Sequence, residues 1–233
     1  MRGFRILAIG LVVVALAATG AMAWLGYFGG PVFADVPANS PSQRVAAVFL
    51  SSDMGLRSGM APEVMRRLAA DGVSVVGVNT LTYMRRPRTP AEITALVARA
   101  EQRALRLGHT DRVVLIGQSF GADMLHVGLA GLPPSLRAKI AAVVLIVPEN
   151  SVEFRASPGE IFDAWTPTTA ALPTARQLTW APVLCVYGVE ERESLCPLMT
   201  RRNVRRVPLP GGHPLHRDVE ALYAVLSRFV FAL

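Results

Sequence analysis

Six stretches of this chain are apolar enough, over the length of a β-strand, to be buried on both faces, and helix-like segments separate most of them. The predicted strands are Val45–Ser51, Val73–Val78, Arg112–Ile116, Ile140–Val147, Val183–Tyr187 and Val204–Leu209. The predicted helices lie near Pro62–Ala70, from Pro90 to about Leu107, from Ser119 to about Leu132, and near Val219–Phe231. A strand that is apolar on both faces needs cover on both sides, so the pattern implies a mostly parallel, six-stranded sheet with helices on each face, an α/β fold. Pro62 and Pro90 suit the first turn of a helix, and Thr89 is placed to cap the second. Asn150–Trp180 breaks the pattern with Pro158, Pro167 and Pro173 and no clear period. It reads as a variable crossover bordering the site.

The 233 residues are 52% hydrophobic and 18% charged, which excludes a disordered chain, and two cysteines cannot staple a disulfide-dominated miniprotein. One packed domain plus a small extra segment accounts for that length. The formal charge is +7, yet Lys139 is the only lysine. The arginines come as scattered pairs such as Arg66-Arg67 and Arg205-Arg206 without interleaved aromatics, so a nucleic-acid partner is not expected. An anionic membrane surface suits that charge better.

Residues 1–33 form the extra segment. Arg2 and Arg5 precede an uncharged run, Ile6–Phe28, that ends in Trp24, Tyr27 and Phe28 before the breaker Gly29-Gly30-Pro31. This is an export signal, read either as an uncleaved anchor or as a signal peptide cut after Ala21-Met22-Ala23. In both cases positive charge on the cytoplasmic side places the rest outside, anchored at the periplasmic face of the inner membrane or released into the periplasm. Residues 34–44, rich in Pro and Ser, read as a linker, and 45–233 as the domain. In that oxidising compartment Cys185 and Cys196 are expected to form a bridge closing the loop between them; the alternative is two buried thiols.

The chemistry centres on Gly117-Gln118-Ser119-Phe120-Gly121, a G-x-S-x-G run between a strand and a helix. A sharp strand-to-helix turn presents Ser119 at the carboxyl end of the sheet, as a nucleophile above a helix N-terminus that steadies a developing oxyanion. Serine needs a base. His213, in Pro210-Gly211-Gly212-His213 after the last strand, is the first choice and His216 the alternative. His109 precedes the serine's own strand, and His126 lies two turns into the helix, where a surface or packing role is expected. The acid that orients the base is expected in the loop after Tyr187-Gly188. Glu191 is the first choice there, Glu193 the second, and Glu190 lies in the same loop. The backbone N–H of Phe120, with that of Asp53 or Met54 from the first loop, would form the oxyanion hole. Asp123 reads as complementing the start of its helix, or as a site for a substrate cation.

The chain resembles the VirJ and AcvB group of bacterial periplasmic α/β-hydrolase-like proteins. The likeness rests on Asp111–Asp123, the stretch from Cys185-Val186-Tyr187-Gly188 to Cys196-Pro197, and Pro210–His213, with weaker support from Val73–Pro90. It runs from about Val45 to the C-terminus. The resemblance implies an α/β-hydrolase fold and links to virulence and type IV secretion. It also implies a membrane-proximal esterase cleaving aminoacyl esters of phosphatidylglycerol, with Ser119 as nucleophile, His213 as base and no metal or organic cofactor. The chain departs from the group's first-loop pattern, Ser-Gly-Asp-Gly-Gly-Trp, at Ser52, Met54 and Leu56. Asn79 stands where the group often has Asp, and Pro214-Leu215-His216 replaces His-Phe-Asp. The expected function is an extracytoplasmic serine hydrolase acting on esters. The alternative is a non-catalytic periplasmic protein that keeps the fold and binds a secretion or envelope partner.

Overall fold

A computed structural model describes residues 2–40, 44–156 and 168–233. In chain order the principal elements are α1 (Arg2–Leu25), β1 (Phe33–Val36), β2 (Ala46–Leu50), α2 (Ala61–Ala70), β3 (Val75–Val78), α3 (Thr80–Met84), α4 (Pro90–Gly108), β4 (Val113–Gln118), α5 (Phe120–Ala130), α6 (Pro134–Arg137), β5 (Ile140–Ile146), β6 (Ser151–Glu153), β7 (Thr168–Ala170), α7 (Leu172–Ala175), β8 (Val183–Gly188), β9 (Val204–Leu209) and α8 (Val219–Val230).

The main sheet runs β1-β3-β2-β4-β5-β8-β9. β1 is antiparallel to β3, and every other neighbouring pair is parallel. All residues of β2, β4 and β5 are buried, as strands covered on both faces must be. Alternation divides them between two cores. Val48 and Leu50 of β2 join Leu96, Val97, Leu125 and Leu129 of α4 and α5 on one face, while Phe49 joins Val64 and Leu68 of α2 and Leu222 and Leu226 of α8 on the other.

Where the sequence predicts a six-stranded sheet, the main sheet has seven strands. β1 straddles the expected boundary between the N-terminal segment and the linker: Phe33–Val36 pairs residue for residue with Val78–Val75, so ordered structure starts before Val45. Four residues beside prolines carry almost no periodic signal, and pairing with β3 decides their conformation. The helix starts agree with expectation. Thr89 and Glu92 form a reciprocal capping box, with Glu92 N–H donating to Thr89 Oγ1 at 3.3 Å and Thr89 N–H to Glu92 Oε2 at 2.8 Å. The stretch expected to be irregular holds the small antiparallel pair β6–β7 and α7. Pro158 and Pro167 lie outside the described residues.

Among the described residues no helix is long and apolar enough to cross a membrane. The described part of α1 exposes Leu7, Ile9, Leu11, Val12, Val13, Val14 and Leu16.

Candidate active site

Strand β4 hands the chain to α5 through Ser119, whose φ of 54° and ψ of −128° lie in a region that non-glycine residues seldom occupy. Surrounding bonds hold that strained turn in place. Ser119 N–H donates to Ile146 O of the neighbouring strand at 2.8 Å, and Ser119 O accepts from Ala122 N–H at 2.6 Å. The flanking glycines are forced by close backbone approach. A Cβ on Gly117 would lie 2.5 Å from Gly121 O, and one on Gly121 would lie 2.2 Å from Ser51 O. The second approach also seats the helix start directly against the end of β2, from which the first loop departs.

His213 comes from the turn after β9. That turn packs on the end of β8 so closely that a Cβ at Gly188 would lie 2.3 Å from Gly212 O. The loop leaving β8 is tied to the same turn, Glu190 N–H donating to Gly211 O at 3.0 Å. Backbone packing thus brings His213 and Glu191 together. Ser119 Oγ lies 2.7 Å from His213 Nε2, and His213 Nδ1 lies 2.5 Å from Glu191 Oε1. The Glu191 side chain is 7% exposed, and its Oε2 is buried without a hydrogen-bond partner among the described residues.

The alternatives left open in the sequence separate cleanly. Glu190 and Glu193 are exposed, and Glu193 contributes its carbonyl to Asn150 N–H at 2.7 Å. His216 is exposed, its ring lying over Gly211, and His109 closes α4 in the left-handed region. His126 is fully buried with Nδ1 2.9 Å from Thr174 Oγ1, and burial lowers its pKa to about 3, so it packs as a neutral ring. Cys185 and Cys196 are joined with S–S 2.05 Å and Cα–Cα 5.6 Å, closing the segment that carries Glu191.

Burial opposes charge on His213, but its hydrogen bond to the Glu191 carboxylate and the charges of Glu191, Glu149 and Asp53 outweigh it and raise its pKa above the ordinary histidine value. Asp123 corrects the helix-start reading. It is 4% exposed and accepts from Glu149 N–H at 3.0 Å, joining α5 to the segment after β5 instead of capping its helix. Burial, then the nearby charge of Glu149, pushes its pKa well above the ordinary aspartate value.

Ser119 and His213 open on a cleft of about 370 Å³. Its walls carry Asp53, Asp123, Glu149 and Glu153 against Arg155 and Arg217, an acidic lining on a basic protein. Glu149 Oε1 is 4.0 Å from His213 Nε2. Gln118 also lines the cleft, with Oε1 buried and without a hydrogen-bond partner among the described residues. Gln118, Glu149, Glu153, Arg155 and Arg217 were not among the sequence candidates. The available signal for Glu149 was its place just past β5, at the same carboxyl end of the sheet as Ser119. Phe120 begins α5, where N–H groups lack intrahelical carbonyl partners, and Asp53 and Met54 both line the cleft. Met54 N–H donates to Ser52 Oγ at 3.3 Å. Among the described residues no three His, Cys, Asp or Glu side chains are grouped as metal ligands.

Residues 44–230 match the family described as Bacterial virulence protein (VirJ). The chain belongs to that family. No curated protein is recognisably similar to this VirJ-family chain in sequence. In three dimensions it is similar to Est1E from Butyrivibrio proteoclasticus, with TM-score 0.60 at 14% identity over 85% of this chain and 91% of that one. It is also similar to the Pyrococcus furiosus esterase Pf2001, with TM-score 0.55 at 15% identity over 86% and 90%. The esterase domain of a Rhodothermus marinus protein gives TM-score 0.55 at 16% identity over 84% and 89%. At these identities the likeness shows the fold, and the fold of this VirJ-family chain is that of the α/β hydrolases.

Proposed function

We propose that this VirJ-family protein is an extracytoplasmic serine hydrolase of ester bonds, acting on aminoacyl esters of phosphatidylglycerol. The observation that carries the reading is the unbroken hydrogen-bonded path from Glu191 through His213 to a strained Ser119 at the mouth of a cleft. In that reading Ser119 Oγ attacks the ester carbonyl carbon as its proton passes to His213 Nε2, and Glu191 stabilises the imidazolium. Negative charge on the carbonyl oxygen meets the backbone N–H of Phe120 together with that of Asp53 or Met54, both of which line the cleft. Collapse of the tetrahedral intermediate breaks the ester bond, and His213 protonates the departing alcohol oxygen. Water, deprotonated by His213, then attacks the acyl-serine, releasing the amino acid and restoring Ser119.

The substrate class rests on charge. With Asp123 set aside, the carboxyl groups of Asp53, Glu149 and Glu153 still outnumber Arg155 and Arg217 in the cleft, which suits an acyl group carrying an ammonium, and a net charge of +7 favours approach to an anionic lipid surface. The apolar α1 supports membrane attachment at the outer face of the inner membrane. The test is release of free lysine from vesicles containing lysyl-phosphatidylglycerol, read by mass spectrometry and compared with hydrolysis of a neutral p-nitrophenyl ester. The reading predicts lysine release that is abolished in Ser119→Ala. Turnover of the neutral ester alone would overturn the substrate class. No turnover of either by a folded protein would favour a binding protein that kept the fold.

A further inference from the structure

We propose that the C-terminal turn of α1 is a positioning element of the active site, holding the first loop (residues 52–60) against the cleft from behind. This rests on the hydrolase reading only where a catalytic rate is measured. The last four carbonyls of a helix have no intrahelical partners, and the partners found here divide into two sets. Tyr27 N–H donates to Met22 O at 3.0 Å and Gly26 N–H to Ala23 O at 3.1 Å, a Schellman ending with Gly26 at φ 99°. The other two carbonyls are taken by the folded domain. Arg57 Nη1 donates to Trp24 O at 2.9 Å and Asn79 Nδ2 to Leu25 O at 3.3 Å. Two more bonds continue along the exit, from Thr82 Oγ1 to Gly26 O at 3.0 Å and from Arg85 Nη1 to Phe28 O at 2.7 Å.

The contact is close as well as polar. A Cβ on Gly26 would lie 2.5 Å from Thr82 Oγ1, and one on Gly55 would lie 2.9 Å from Leu25 O. Leu25 and Tyr27 pack against the core shared with α4 and α5. Gly55 therefore seats the first loop on the helix end, while its neighbours Asp53 and Met54 face the cleft. Asn79 is the hinge of this arrangement. Its Oδ1 accepts from Thr82 N–H at 3.2 Å and caps α3, while its Nδ2 donates to Leu25 O. A carboxylate could cap α3 but could not donate, so the departure from Asp at this position is what the helix end requires. Cleavage after Ala23 would remove both carbonyls that close the Schellman turn, so this form of the site uses an uncut α1.

The experiment uses the full chain in detergent micelles and the isosteric Asn79→Asp, which removes the donation to Leu25 O and keeps the cap on α3. Hydrogen exchange is followed in peptides covering 22–28, 52–60 and β4–β5, with fluorophosphonate labelling kinetics alongside. The expected result is faster exchange in both 22–28 and 52–60 with β4–β5 unchanged. The maximal labelling rate should fall about tenfold with little change in probe affinity, as misplacement of an oxyanion donor predicts. Arg57→Gln, at an exposed side chain, should produce the same pattern more weakly and serves if Asn79→Asp fails to fold. Faster exchange confined to 22–28 with unchanged labelling would overturn the proposal. If the wild type does not label at all, the hydrolase reading fails, and the exchange of 52–60 alone decides the positioning role.

Discussion

The loop that carries Glu191 and the loop that carries Asp53 flank the same serine but are secured differently. The first leaves β8 at Gly188, is stapled back to that strand by Cys185–Cys196, and is tied by its backbone to the His213 turn. The second has no covalent closure. Its outer side rests on the end of α1, about thirty residues earlier in the chain, through Arg57, Asn79 and Gly55. The Glu191–His213 geometry is thus intrinsic to the domain, whereas the placement of the first-loop N–H groups depends on a segment outside the sheet's parallel core.

The sharpest way to break this comparison is at the acid. Glu191→Gln should lower the fluorophosphonate labelling rate by roughly 10³-fold, because the histidine loses the group that fixes its tautomer, while Glu193→Gln should leave it near wild type. The pH profile sharpens the same point. His213 must be neutral to accept a proton, and its pKa is raised, so wild-type labelling should climb with pH through a midpoint above the ordinary histidine value of 6.5. Loss of the Glu191 charge should move the residual profile to lower pH.

The disulfide comes next. Replacing both cysteines by serine should cost about 2–4 kcal/mol in urea unfolding and reduce labelling, without faster exchange in 52–60. Loss of protection in both loops would show that they are not independently secured. The smallest effect is expected at Asp123→Asn. The Asp123 pKa is raised in the folded state, so its stabilising protonation is complete below the unfolded value and is lost as pH rises through the folded one. The variant should match wild type in acid and become the more stable protein as pH rises above the ordinary aspartate range, as read by paired urea titrations.

What was legible in the sequence follows from how local each signal is. The turn at Ser119 is written in a strand, two glycines and a helix within about twenty residues, and the base follows the last strand by the same logic. The acid was narrowed to one loop. Glu191 is the first choice within that loop from sequence alone, and the structure adds that the His213 turn packs on Gly188, bringing His213 Nδ1 within 2.5 Å of Glu191 Oε1, while Glu193 is exposed. β1 and α3 were missed because four- and five-residue segments acquire their conformation from partners far away in the chain. The position of Asp123 in the first helical turn suggests a local role. Its actual partner, Glu149 N–H, lies 26 residues away. The cleft's acidic lining is likewise assembled from the first loop, α5 and the segment after β5, and no single stretch announces it.

The central claim is that Ser119 is an activated nucleophile. The measurement that tests it most directly is fluorophosphonate labelling of the full chain, with the adduct mapped by mass spectrometry in the wild type, Ser119→Ala and His213→Ala. The account predicts a single adduct on Ser119, absent in the first variant and nearly absent in the second. An unlabelled but folded wild type, or undiminished labelling in Ser119→Ala, would contradict it.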